Sequence, residues 1–242
     1  MRGLPAYGVQ RRANSLGVLR QHDVTTLSLL DGLVAYWKLD ETSGTRIDSA
    51  GSNNLADNGS VGSTVGIQGN AAQFDGTSPN YLSTASPVLS GTGSFSASGW
   101  FLVPDTTLTG DPLIDNQGLF GQTRFQDGWV AALVGSDLYF DFNAARPTFT
   151  GVITQNTYYF TGLTYDSNTA TATFYLDNTE LGSVVTAGFA QESEPIRVGR
   201  QRSQDVYYLQ GRVDEVGIWS RALTASEMLI LYNSGAGITF PF

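Results

Sequence analysis

The chain has 242 residues, of which 41% are hydrophobic and only 14% charged, with a net charge of −9, no cysteine and one histidine. The missing cysteines exclude disulfides, thiolate nucleophiles and Cys-ligated zinc or iron–sulfur clusters, and a lone His22 leaves a Ser-His-Asp triad or a multi-histidine metal site nothing to build on. No apolar run approaches the ~18 residues of a membrane-spanning helix, and long ion-paired solvated helices are at odds with so few charges.

The charge is unevenly placed. Residues 1–20 hold Arg2, Arg11, Arg12 and Arg20 and no acid, a local +4, which leaves the rest of the chain at −13. Such asymmetry marks residues 1–30 as a basic arm with a partner of its own, and Val9, Leu16, Val18 and Leu19 give that arm apolar surface to bury. Arg11-Arg12 suggests a twin-arginine export signal, but Arg20, His22 and Asp23 interrupt its apolar stretch. Four arginines on an acidic body would make few phosphate contacts, which disfavours nucleic acid.

From Leu33 the pattern changes to a period of two: Leu33, Ala35, Trp37 and Leu39 alternate with Val34, Tyr36, Lys38 and Asp40, which predicts a strand with one face buried. A Gly, Ser, Asn and Asp-rich loop follows to Asn54. Further strands are predicted at Ala71–Phe74, Tyr81–Ser83, Ser94–Val103, Leu119–Gly121, Gly128–Val134 and Leu138–Asn143. Ser94–Val103 has bulky residues on both parities, as a central strand between two layers would. Tyr158–Tyr165, Thr169–Leu176 and Glu180–Val185 form hairpins through Asp166-Ser-Asn168 and Asp177-Asn178, and Pro195–Gly199 and Gly211–Trp219 follow. One short helix is predicted, opened by the capping box Thr224-Ala-Ser-Glu227, with Met228, Leu231 and Tyr232 on its inner face and Gly235 at its stop. Many short strands, one terminal helix and no βα alternation predict an all-β fold. It is an antiparallel two-sheet β-sandwich of jelly-roll type, a single domain over residues 31–242.

Four segments carry a family likeness. Gly32-Leu-Val-Ala-Tyr-Trp-Lys-Leu-Asp40-Glu41-Thr-Ser-Gly44, Gly69-Asn-Ala-Ala-Gln-Phe-Asp75-Gly76, Ser94-Phe-Ser-Ala-Ser-Gly-Trp100 and Gly211-Arg-Val-Asp214-Glu215-Val-Gly-Ile-Trp219 stand in order over residues 32–236. The chain resembles the laminin-G-like, concanavalin A-like lectin/glucanase family. The resemblance implies two curved antiparallel sheets with rim loops and a concave face that often receives a glycan, and many relatives hold calcium. It specifies the fold more tightly than the function, because one sandwich serves lectins, adhesins, spacers and hydrolases.

Glycan recognition needs aromatic faces for C–H surface and amides or carboxylates for hydroxyls. The candidates outside the strand cores are Tyr81, Phe125, Asp127, Trp129, Gln201, Asp205, Tyr207 and Tyr208; Trp37, Trp100 and Trp219 sit in strand patterns and read as core. Calcium needs six to eight oxygens, and Asp40, Glu41, Asp48, Asn54 and Asp214 could supply a structural site if the first and last strands are neighbours. A glycoside hydrolase needs a carboxylate pair across a cleft. Asp137 and Asp141 share a parity and Asp214 and Glu215 are adjacent, hence expected on opposite faces, so neither pair has that arrangement. Asn58-Gly-Ser60 matches the N-glycosylation pattern but reads as a turn.

These features predict a non-catalytic recognition or adhesion module for a glycan or protein on a cell surface. With no evident export signal, a virion component is the expected setting, at the virion surface or otherwise extracellular. Residues 1–30 would then anchor it to a capsid or tail protein, with homo-oligomers as a further possibility. The rivals are a secreted or surface bacterial carbohydrate-binding protein and a structural protein-interaction module.

Overall fold

The computed structural model describes residues 28–107, 117–123, 128–201 and 206–242. The arginines expected to form an anchor, Arg2, Arg11, Arg12 and Arg20, lie outside the described residues. So do Phe125, Asp127 and Asp205.

Two antiparallel sheets face each other. The first runs, in spatial order, β13 (Thr179–Val185), β12 (Thr171–Leu176), β11 (Tyr159–Asp166), β6 (Phe95–Leu102), β15 (Gln210–Trp219), β4 (Asn70–Asp75) and β3 (Gly62–Val65), with β1 (Leu33–Trp37) as an eighth strand against the far half of β15. The second runs β10 (Thr148–Phe149), β9 (Asp137–Phe142), β8 (Gly128–Val134), β7 (Gln117–Thr123), β14 (Arg197–Val198), β5 (Tyr81–Thr84) and β2 (Leu55–Asn58). The sequence pattern missed β2, β3 and the two-residue β10, because Leu-Ala-Asp-Asn and Gly-Ser-Thr-Val hold too few apolar residues to alternate and Thr148-Phe149 is too short to show a period.

The period-two rule sets what lies between the sheets. Ala35 and Trp37 of β1, Phe95, Ala97 and Phe101 of β6, Trp129, Ala131 and Leu133 of β8, Leu138, Phe140 and Phe142 of β9, and Val213 and Val216 of β15 meet in one core. The other face of the eight-stranded sheet is covered too, which explains the two bulky parities of β6. Trp100, Phe160 and Trp219 pack there beneath Met228 and Leu231 of α1 (Ala225–Tyr232).

The capping box forms as predicted. Glu227 N–H donates to Thr224 Oγ1 at 3.2 Å, and Thr224 N–H donates to Glu227 Oε2 at 2.8 Å. The helix stops earlier than expected, at Asn233 with φ 48 instead of at Gly235, because asparagine tolerates the left-handed conformation a C-cap requires.

The sandwich also begins earlier than residue 31. Leu29 is fully buried, and its carbonyl accepts Trp219 Nε1–H at 2.7 Å. Arg221 donates to Ser28 O at 2.7 Å and to Asp31 O at 2.8 Å, and Ser220 N–H donates to Gly32 O at 2.7 Å. Residues 28–32 therefore close a seam against the end of β15 and the start of α1, where burial of Leu29 alone stabilises by about 1.5–3 kcal/mol.

Candidate functional site

The outer face of the seven-stranded sheet carries a polar and aromatic grouping in which Arg146 is exposed and Tyr81 and Tyr207 are half-buried, while Tyr139, Asp141, Arg200 and Gln201 lie buried beneath them. On β9, Leu138, Phe140 and Phe142 point into the core, so Tyr139 and Asp141 point out. Arg146, from the turn after β9, reaches back to grip Asp141 with both ends of its guanidinium, Nη2 to Oδ2 at 2.9 Å, and lies 4.6 Å over the Tyr139 ring. Hydrogen bonding to Asp141 pushes the Arg146 pKa up. Gln201 Nε2 donates to Asp141 Oδ2 at 2.7 Å. The Asp141 carboxylate is thus held on two sides, while the Arg146 side chain keeps 39% of its surface exposed.

A second cluster adjoins. On β5, Leu82 faces the core and Tyr81 faces out. Arg200 lies 4.7 Å over the Tyr81 ring and 5.2 Å from that of Tyr208, and the two rings are 6.2 Å apart. The chain around Arg200 and Tyr207 is tied to the sheet by backbone bonds: Gly199 N–H to Leu119 O at 2.9 Å, Gly118 N–H to Tyr207 O at 3.3 Å and Gln201 N–H to Tyr207 O at 3.2 Å. It lies so close that a Cβ at Gly118 would come within 2.1 Å of Gln201 N.

Tyr81, Gln201, Tyr207 and Tyr208 are therefore brought onto one face, although Gln201 and Tyr208 are themselves buried and only Tyr81 and Tyr207 are half-buried there. Trp129 is a correction: it is fully buried, its ring 5.5 Å from that of Phe95, with Nε1–H donating to Gln191 Oε1 at 3.2 Å. Alternation along β8 puts it on the same side as Ala131 and Leu133, so it offers no face to a ligand. Sequence reasoning missed Tyr139, Arg146 and Arg200; the shared parity of Asp137 and Asp141 was the one signal pointing to this face.

The carboxylates do not form a cleaving pair here. Asp137 Oδ1 accepts Gly151 N–H at 2.8 Å and holds a loop, while Asp141 is neutralised by Arg146. Asp214 and Glu215 correct the expectation of opposite faces. A bulge in β15, with Glu215 at φ 48, breaks the alternation between Val213 and Val216, which both enter the core. Both carboxyls consequently turn to the outer side of the eight-stranded sheet.

The five side chains expected to hold calcium do not make one ligand set. Asp48 Oδ1 accepts Tyr36, Ala50 and Gly51 N–H at 2.9–3.0 Å and its Oδ2 accepts Asn53 N–H at 2.9 Å, so it is a turn anchor. Asn54 Oδ1 accepts Asp48 N–H, Glu41 Oε1 accepts Ile47 N–H, and Asp40 Oδ1 accepts Asn70 N–H. Among the described residues no three acidic, histidine or cysteine side chains gather as a metal site.

What remains is a buried pair. Asp214 Oδ2 accepts Ile67 N–H at 2.8 Å and Gln68 N–H at 3.2 Å, but Oδ1 accepts nothing. Glu215 lies beside the Tyr36 and Thr239 hydroxyls, yet Tyr36 donates to Ile238 O instead, and neither Glu215 oxygen is satisfied. Burial raises the Asp214 pKa to about 8 and the Glu215 pKa to about 7. Both carboxyls are therefore substantially protonated near neutrality.

Two antiparallel sheets around one core, with an aromatic and polar face on the outside of one of them, define a jelly roll of the concanavalin A type. The chain belongs to the concanavalin A-like lectin/glucanases superfamily, whose laminin-G-type family model matches residues 75–228. No curated protein sequence matches it. Among solved structures, the binding domain of Paraclostridial Mosquitocidal Protein 1 is similar with a TM-score of 0.68 and 18% identity over 86% of this chain and 53% of that one. The botulinum neurotoxin serotype D binding domain gives 0.65 and 13% over 87% and 53%. Domain 4 of AbnA, a GH43 extracellular arabinanase from Geobacillus stearothermophilus solved with arabinotriose, gives 0.60 and 18% over 81% and 96%. The chain spans about half the length of the two toxin domains, and at these identities the likeness is one of fold.

Proposed function

We propose that the sandwich is a non-catalytic glycan-recognition module and that its contact face is the outer surface of the seven-stranded sheet around Asp141. The observation that carries this is the Arg146–Asp141–Gln201 network beside Tyr139, Tyr81 and Tyr207. The buried Asp141, Gln201 and Tyr139 fix the exposed Arg146 guanidinium in place beside the half-buried rings of Tyr81 and Tyr207, which offers sugar hydroxyls a donor and C–H surfaces an aromatic edge. The arabinotriose complex of the similar AbnA domain supports the reading. Asp141 is committed to Arg146 and Asp137 to Gly151 N–H, so the two carboxyls of this strand serve structural contacts instead of facing each other across a cleft as hydrolysis requires.

On a glycan array, replacing Arg146 by alanine and, separately, Tyr81 by alanine should weaken binding at least about tenfold, the loss of ~1.4 kcal/mol. Arg146→Lys keeps the charge but not the two-point grip, and should fall between. Undiminished binding by all three folded variants would refute the assignment.

A virion-surface or other extracellular setting is part of the same proposal, with the basic residues ahead of Ser28 as the attachment to a capsid or tail partner. The support is the +4 charge of residues 1–20 against an acidic body. Chains lacking residues 1–27 should then keep glycan binding and fail to co-purify with assembled particles; normal co-purification would exclude the attachment role.

A further inference from the structure

The opposite sheet carries a cleft of about 250 Å³ that the proposed glycan face does not use. It lies at the start of β15, where Gln210 pairs with Asp75, and Arg212 pairs with Gln73 on one side and Leu102 on the other. Because Ala72, Phe74 and Val213 enter the core, Gln73, Asp75, Gln210 and Arg212 all stand on the outer face, forming two cross-strand rows, and Asn156 also lines the cleft.

The hydrogen-bonding capacity in these rows is largely uncommitted. Gln73 and Gln210 make no side-chain hydrogen bond among the described residues. Asp75 uses Oδ1 to hold Thr77 N–H and Oγ1–H, at 2.9 and 2.6 Å, leaving Oδ2 open. Arg212 has no carboxylate partner among the described residues. Its guanidinium bears instead on the Tyr158 phenol oxygen, whose own proton goes to Val65 O at 2.9 Å. One cation and one anion cancel, the amides offer both donors and acceptors, and Leu102 lines the cleft with apolar surface.

We infer that this cleft is a second saccharide subsite, which accepts one neutral sugar residue. Paired amides suit vicinal hydroxyls, each of which both donates and accepts, and the volume suits a single ring. A carboxylate or phosphate ligand would meet Asp75, and an ammonium would meet Arg212, so a neutral polyhydroxyl is the chemistry that satisfies the whole lining. With no ring platform open to it, the subsite should bind weakly and add to the first face through multivalency. It goes beyond the reading of the Asp141 face and stands on different residues.

The test is a two-dimensional NMR titration of the isotope-labelled full chain with L-arabinose, D-galactose and D-glucose, each to tens of millimolar. The expected result is a saturable set of shifts at Gln73, Gln210 and Arg212 with at least one sugar. That set should persist in Arg146→Ala and disappear in the double variant Gln73→Ala/Gln210→Ala, both of whose sites are on a sheet surface. Shifts confined to the Asp141 face would overturn the second subsite and leave the first standing. Shifts at the cleft alone would support the subsite and count against the Asp141 face. No saturable shifts with any of the three sugars would overturn it outright.

Discussion

Thermal stability should peak near pH 4–5, fall below that chiefly because of Glu227 and fall above it chiefly because of Asp214 and Glu215, with burial of Asp177 adding in the same direction. Glu227 governs the acid limb. Burial alone would raise its pKa, but hydrogen bonds from Arg221, from Thr224 N–H and from Ser28 outweigh burial and hold it at about 2. Below its ordinary value the unfolded chain takes up a proton that the native state refuses, so the ~3 kcal/mol present above pH ~4.5 is lost as pH falls toward 2. Asp214 and Glu215 act with the opposite sign. Their native pKa values of about 8 and about 7 lie above their unfolded ones, so between pH ~4 and ~8 the native state keeps protons that the unfolded chain releases. Stability declines through that window by several kcal/mol.

Melting temperature followed from pH 3 to 9 in chelator should show both limbs. Glu227→Gln should flatten the acid limb and Glu215→Gln the alkaline one. A melting temperature that rises steadily from pH 5 to 8 would contradict the burial of a protonated pair.

Gly118→Ala should remove glycan binding while leaving a folded sandwich. The backbone there needs no left-handed conformation, so the effect is purely one of contact: a methyl group would meet Gln201 N at 2.1 Å and the Arg200 carbonyl carbon at 2.4 Å. Backbone cannot rotate away as a side chain can. The chain at Arg200 and Gln201 must lift from β7, which parts Gln201 from Asp141 and Arg200 from Tyr81. Overpacking of this kind costs about 1–3 kcal/mol, a fall of several degrees in melting temperature, with binding reduced by more than about tenfold. Gly93→Ala is the control, since nothing lies within 4 Å of a Cβ there and both properties should be unchanged. Full binding by Gly118→Ala would show that the Arg200 chain plays no part in recognition.

The strands legible in the sequence are those whose alternation encodes a buried face, such as Leu33–Trp37 and the hairpins after Tyr158. The helix start was legible because its capping chemistry is local. What escaped depends on contacts between distant segments. Trp129 reads as a rim candidate only when grouped with the polar residues ahead of it, although it stands inside the strand predicted at Gly128–Val134, whose alternation with Ala131 and Leu133 drives the indole inward. Arg146 carries no signal of its own; only the turn after β9 brings it over Asp141. The bulge at Asp214-Glu215 reversed a parity argument that is sound for a regular strand, because one extra residue changes which side every later side chain takes. Asp48 and Asn54 looked like ligands for the same reason they cap turns well: short oxygen-bearing side chains serve both ends.

The seam at Ser28–Gly32 has a bearing on how the module can be mounted. Leu29 and Phe242 belong to one apolar cluster on the outside of the eight-stranded sheet, whereas the Asp141 face lies on the outside of the opposite sheet, with the whole core between them. The point of attachment at Ser28 therefore lies on the side of the domain opposite the proposed glycan face. With its two described ends sharing a patch, the sandwich could also be spliced into a surface loop of a larger protein as a self-contained knob.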